Sequence, residues 1–168
     1  MSAPGAREDH GSAVLARLLA ELPEAVRETH ALHGDATAIA EPGQIVRVMT
    51  FLRDSEGLDF EMLTDLTCVD WIGQEPRFEL VYHLYSVKRN HRVRVKARVA
   101  EVPGVIDSVA GVYASANWME REVFDLYGVR FRGHPDLRRI LLYDGFEGHP
   151  LRKDYPKEKR QPLVGPRN

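Results

Sequence analysis

The sequence predicts an α+β fold: an antiparallel or mixed sheet with helices packed on one face, followed by an extended C-terminal arm. Three observations predict it. Residues 62–71, 77–87 and 91–99 are apolar, β-branched runs joined by short polar connections, Gly73-Gln74-Glu75-Pro76 and Lys88-Arg89-Asn90. Connections of that length join antiparallel neighbours. Amphipathic helical stripes lie before and after this block, and strands plus helices in that order give a layered α+β arrangement. Beyond Gly128 no regular period persists. The chain therefore divides into a polar N-terminus, residues 1–11, a globular domain, 12–128, and an arm, 129–168.

Each element has a local cause. Residues 12–22 place Val14, Leu15, Leu18, Leu19 and Leu22 on one helical stripe, with Ser12 suited to the N-cap and Pro23 as the stop. Residues 25–32 and 36–40 read as a weak strand pair split by Gly34-Asp35. Residues 44–53 gather Ile45, Val48, Met49 and Leu52 on one helix face, ending near Ser55-Glu56-Gly57. The three strand runs follow, then Pro103-Gly104 resets the chain. The last helix spans residues 114–127, and Gly128 fits the left-handed position that closes a helix.

Composition narrows the functional classes. A chain of 168 residues, 43% hydrophobic and 29% charged, describes a globular protein that buries roughly 70% of its unfolded surface. A net charge of −2 gives no global case for nucleic acid or an anionic membrane. No stretch approaches the roughly 20 apolar residues of a membrane span. The start lacks a basic region followed by an apolar run, and Glu8 and Asp9 do not suit an organelle presequence. Cys68 is the sole cysteine. It therefore forms no intramolecular disulfide, and it falls short of the several thiolates that an iron–sulfur cluster or a cysteine-rich zinc site requires. Its apolar strand setting marks it as a core residue.

Several patterns resemble sites and have plainer readings. Arg92, Arg94, Lys96 and Arg98 alternate with Val93, Val95, Ala97 and Val99, which puts four cations on one sheet face. With Tyr82 and Tyr85 nearby, such a face suits single-stranded RNA. The acidic balance and Glu79 as a cross-strand partner favour a solvated or partner-facing surface instead. His134 and His149 sit in matching Gly-His-Pro units near Asp136, Asp144 and Glu147. A metal would need three or four ligands, whereas turn formation explains both units. Glu120, Glu122 and Asp125 can be read as an acid–base set, but Arg121 and Asp125 are i, i+4 partners suited to a structural ion pair. There is no nucleotide-binding glycine loop and no nucleophile–base motif, so a hydrolase has no support. Residues 120–156 concentrate charge, aromatics and turn formers without the parts of a catalytic centre, a pattern that fits docking on a partner.

Glu120-Arg121-Glu122, Asp125, Leu126-Tyr127, His134, Arg138, Ile140 and Leu141 resemble the signature of the 30 kDa subunit family of NADH:quinone oxidoreductase, respiratory complex I. Asn117-Trp118-Met119 upstream is also similar to the family. The run Glu147-Gly148-His149-Pro150-Leu151-Arg152-Lys153-Asp154-Tyr155-Pro156 resembles that family's C-terminal motif. The resemblance implies a subunit with no catalytic centre, cofactor or metal of its own. FMN, iron–sulfur clusters and quinone are expected in partner subunits. Those partners are the large quinone-cavity subunit and the iron–sulfur subunits of the peripheral arm, with no nucleic acid and with membrane contact only through the complex. The place implied is the cytoplasmic side of a bacterial inner membrane. Glu120, Arg121, Glu122, Asp125, Tyr127, His134, Arg138, Phe146, His149, Leu151, Arg152, Lys153, Asp154 and Tyr155 are the candidate signature and interface residues. Arg121, Glu122 and Asp125 either orient the helix end or contact the neighbouring subunit. Phe146, Leu151 and Tyr155 are expected to anchor the arm, which has no reason to be ordered alone. Arg152→Ala or Tyr155→Ala is then expected to weaken assembly and spare the isolated fold. The alternatives are the equivalent subunit of a membrane-bound hydrogenase or a ferredoxin- or deazaflavin-dependent oxidoreductase, and, from another class, a small RNA-binding module.

Overall fold

A computed structural model describes residues 5–161. Its main sheet is mixed, with β1 (Val26–His30), β2 (Thr37–Ala40), β3 (Met62–Asp70), β4 (Phe78–Ser86) and β5 (His91–Val99) ordered β1-β2-β5-β4-β3. The β3–β4 and β4–β5 pairs are antiparallel, as their short connections predict, and so is β1–β2. β2 runs parallel to β5, which makes the chain cross the sheet between them. Alternation in β5 buries Val93, Val95, Ala97 and Val99 and turns Arg92, Arg94, Lys96 and Arg98 to the opposite face.

The buried face carries the helices. α1 (Gly5–Glu21) contributes Val14, Leu15 and Leu18, and α2 (Ile45–Asp54) contributes Ile45, Val48, Met49 and Leu52. These meet Phe78, Leu80, Tyr82 and Leu84 of β4 in one core. α1 begins before Ser12, so Ser12 lies inside the helix and does not cap it. Ala6, Arg7 and Glu8 are good helix formers, and their propensity favours an earlier start. The polar N-terminus of residues 1–11 is thus helical from Gly5, and residues 1–4 lie outside those described.

α3 (Ala116–Tyr127) lies beneath β3 and ends at Gly128, whose φ of 77° and N–H bond to the Phe124 carbonyl (2.9 Å) close the helix. Two short strands, β6 (Val105–Asp107) and β7 (Arg130–Arg132), form a second, parallel sheet. Sequence periodicity missed both, because three residues define no period. Their pairing carries the globular domain past residue 128. From residue 133 the chain does not run out as an extended arm. It folds as successive turns, hydrogen-bonded to α3 and to the end of β3. Glycine and proline exclude helix from this segment and suit tight turns as well as extension. Residues 162–168, the end of the predicted arm, lie outside those described. Among the described residues no helix is long and apolar enough to cross a membrane.

Candidate partner interface: helix α3 and its strap

The strap, residues 133–161, is built around buried charge on α3. Asp125, fully buried, points one carboxylate oxygen at three consecutive backbone N–H groups, those of Ile140, Leu141 and Leu142, at 2.9–3.0 Å. Its other oxygen accepts from Arg139 Nη1 at 2.7 Å. Burial alone would raise this carboxyl, and the three amides with Arg139 outweigh it and hold the group below the ordinary aspartate value. Arg121, one turn earlier, donates to the carbonyls of Arg138 and Arg139 at 3.1 Å and stacks over Trp118 at 5.3 Å. Arg121 and Asp125 therefore do not pair with each other. Charges four residues apart on the helix grip opposite sides of the same turn, one taking N–H groups and the other C=O groups.

Glu120 faces the other way, into the core. It accepts Ser108 Oγ at 2.5 Å and the Val109 N–H at 2.7 Å, and lies 3.9 Å from His134 Nε2. Burial pushes its carboxyl up to about 7 despite both donors. His134 Nδ1 accepts the Asp136 N–H and Nε2 donates to the Asn117 carbonyl, each at 3.0 Å, so the ring staples the turn after β7 to α3. His149 Nδ1 donates to the Asp125 carbonyl at 2.9 Å, and burial holds that imidazole below the usual histidine range. The two Gly-His-Pro units thus commit ring nitrogens to the helix backbone. Among the described residues no group of three or more His, Cys, Asp or Glu is arranged to hold a metal.

The far end of the strap is clipped to the sheet. Arg77, only 5% exposed, forms a bidentate pair with Asp70 (2.8 Å, twice) and reaches Glu101 (2.8 Å) and both oxygens of Asp154 (2.9 Å). Bidentate charge-assisted pairs of this kind are the strong ones. The Lys153 N–H donates to Asp70 at 2.8 Å. Arg152 donates to the Tyr127 carbonyl at 2.5 Å, sits over the Phe78 ring at 5.0 Å and reaches Glu101 at 3.4 Å. Phe146 and Tyr155 stack at 6.2 Å, Tyr143 meets the Phe146 edge at 5.6 Å, and Gln161 donates to the Tyr155 hydroxyl.

The predicted site residues accordingly separate into two sets. Glu120, Arg121, Asp125, His134, His149, Arg152 and Asp154 bond within the chain, and Tyr127, Phe146 and Tyr155 are half-buried beside them. Glu122, Arg138, Leu151 and the Lys153 side chain face outward. Arg152 serves the chain's own packing, so Arg152→Ala is no longer expected to spare the isolated fold. Arg77, Asp70, Glu101 and Arg139 were missed as a group. Opposite charges flanking the β3–β4 turn were the available signal for Arg77 and Asp70; nothing local announced Glu101.

The alternating cations of β5 are largely answered within the sheet. Lys96 pairs with Glu79, Arg94 with Asp35, Arg98 bonds Gln74, and Arg92 lies over Tyr85 at 4.7 Å. Tyr82 is fully buried in the core and on the opposite face from Tyr85, so the two do not form a stacking platform. Cys68 is buried, and its thiol is pushed up to about 12 by that burial, far from a nucleophile's value.

Comparison with known proteins gives this arrangement a lineage. A sequence model of the family described as "Respiratory-chain NADH dehydrogenase, 30 Kd subunit" matches residues 38–161. The C 2 subunit of NADH-quinone oxidoreductase from Rhizobium meliloti (strain 1021) is 47% identical over 153 residues, covering 89% of this chain and 84% of the relative. The C subunit of NADH-quinone oxidoreductase from Paramagnetospirillum magneticum (strain ATCC 700264 / AMB-1) is 55% identical over 123 residues, 73% of this chain and 61% of the relative. Among solved structures, the trypsin-resistant fragment (1-134) of Nqo5 superposes with a TM-score of 0.66 at 26% identity, covering 76% of this chain and 99% of the fragment. A chain of the membrane-bound sulfane sulfur reductase, an archaeal respiratory membrane complex, superposes with a TM-score of 0.75 at 26% identity, covering 88% and 86%.

Proposed function

Because the chain belongs to the 30 kDa subunit family of respiratory-chain NADH dehydrogenase, we propose that it is a cofactor-free structural subunit of a proton-translocating NADH:quinone oxidoreductase. In this role it packs against the large quinone-cavity subunit of the peripheral arm, on the cytoplasmic side of a bacterial inner membrane. It supports electron transfer from NADH to quinone by holding the cluster- and quinone-bearing subunits in register. The observation that carries the reading is the strapped α3. Six signature residues, Arg121, Asp125, His134, His149, Arg152 and Asp154, fix the strap to the domain through their side chains, and others of the same motif are left facing solvent. A rigid surface with no nucleophile, metal set or nucleotide loop suits docking rather than chemistry.

Isolation of a tagged native copy from gently solubilised membranes tests the role. Recovery with NADH- and flavin-binding subunits is expected, and a protein found alone in the soluble fraction would overturn it. Flavin or iron–sulfur absorbance in the purified chain would overturn the cofactor-free part. A second reading rests on the structural likeness to the sulfane sulfur reductase chain: the same scaffold role in a sister complex with another electron donor. Recovery with a different donor module would favour it.

A further inference from the structure

We propose, on the basis of that docking role, that the chain meets its partner along the outer stripe of α3, and that the partner brings an apolar surface bearing a lysine or arginine to face Glu122. Trp118, Glu122 and Leu126 are spaced i, i+4, i+8 and so share one face of the helix. Trp118 is 63% exposed. Arg121 stacks on it while holding the carbonyls of residues 138 and 139, which brings the strap, with Leu141 at 61% exposure, alongside. Leu151, 49% exposed, donates its N–H to the Leu126 carbonyl at 3.1 Å and continues the surface toward the helix end. Exposed apolar residues scattered singly are ordinary, but three gathered around one helix face mark an interaction surface, and an exposed tryptophan is the side chain best suited to anchor it.

The carboxylate fixes the partner's chemistry. Glu120, Arg121 and Asp125 all have partners in this chain, whereas Glu122 makes no hydrogen bond or ion pair among the described residues. A partner covering Trp118, Leu141 and Leu151 would strip water from Glu122. An unanswered carboxylate in that position opposes binding, and a cation delivered by the partner turns it into a specificity contact. The strap behind the stripe is already bonded to α3, so the surface needs little ordering when it docks.

The test places a photo-crosslinking residue at position 118, or at 67 on the open face of the sheet, in the full chain within the assembled complex. A crosslink from 118 to another subunit is expected. Glu122→Lys is expected to lower recovery of the chain with the complex by about tenfold or more, and Glu122→Gln by less. An intact complex with 118 silent overturns the proposal, and a crosslink from 67 instead moves the interface to the sheet. Unchanged recovery of Glu122→Lys overturns the cation. Failure of the wild-type chain to co-purify removes the docking role itself and this inference with it.

Discussion

Glu120 carries a carboxyl that ordinarily titrates near 4.5, and burial moves it to about 7 in the folded chain. A folded value above the unfolded one means the group supports folding fully below about pH 4.5. That support is lost as pH rises through about 7, to a total of about 3 kcal/mol. Glu120→Gln keeps the shape, with an amide oxygen for the Val109 N–H and an NH2 group for Ser108 Oγ. The variant is expected to match wild type near pH 4 and to exceed it in thermal stability at pH 8; parallel stability–pH curves would contradict this. Arg77 gives the opposite case, a cation whose removal leaves the buried Asp70 without its bidentate partner. Arg77→Ala is expected to lower stability by about 3–5 kcal/mol, read from the urea midpoint, and an unchanged midpoint would show the network to be ornamental. Spacing rules revealed neither site. They offered Arg121 a partner four residues away, while its actual acceptors, the carbonyls of Arg138 and Arg139, lie seventeen and eighteen residues on.

Among the elements, α3 was legible and the strap was not, for one physical reason. A helix or strand declares itself through a side-chain period, because its backbone bonds are met within a regular ladder. The strap meets its backbone bonds irregularly, at Asp125, Arg121 and Asp70, so its sequence carries glycine and proline punctuation and no period. Gly128 joins the two elements. A Cβ there would lie 2.5 Å from His149 Nε2 and 2.8 Å from Arg152 Nη2, at a left-handed φ. Gly128→Ala is therefore expected to release residues 149–154 while α3 persists. Accelerated trypsin cleavage after Arg152 and Lys153, with helix content retained, is the signature; wild-type cleavage rates would mean the clip at Arg77 suffices alone.

At the scale of the molecule, the sheet was the most readable part. Three long strands with hairpin-length links fixed the β3–β4–β5 block, and alternation fixed which face of β5 is buried. The parallel pairing of β2 with β5 left no trace, since register across a crossover depends on how distant segments pack. The small β6–β7 sheet, which moves the domain boundary beyond Gly128, was hidden by its brevity. The candidate site was readable as a set of residues and not as a division of labour. The motif named the candidate region, but only side-chain geometry separated the residues that hold the strap from Trp118 and Glu122, which face away.

The clip at Arg77 also has a meaning in time. Its carboxylates come from positions 70, 101 and 154, so a chain leaving the ribosome has β3, β4 and β5 long before the last of them emerges. Closing so long a loop is slow relative to the hairpins within it. Asp125, likewise, waits for the amides of residues 140–142. The nascent domain therefore passes through an interval in which its sheet is paired and two of its buried acids are still incompletely answered. Completion of the strap is the step that ends that interval.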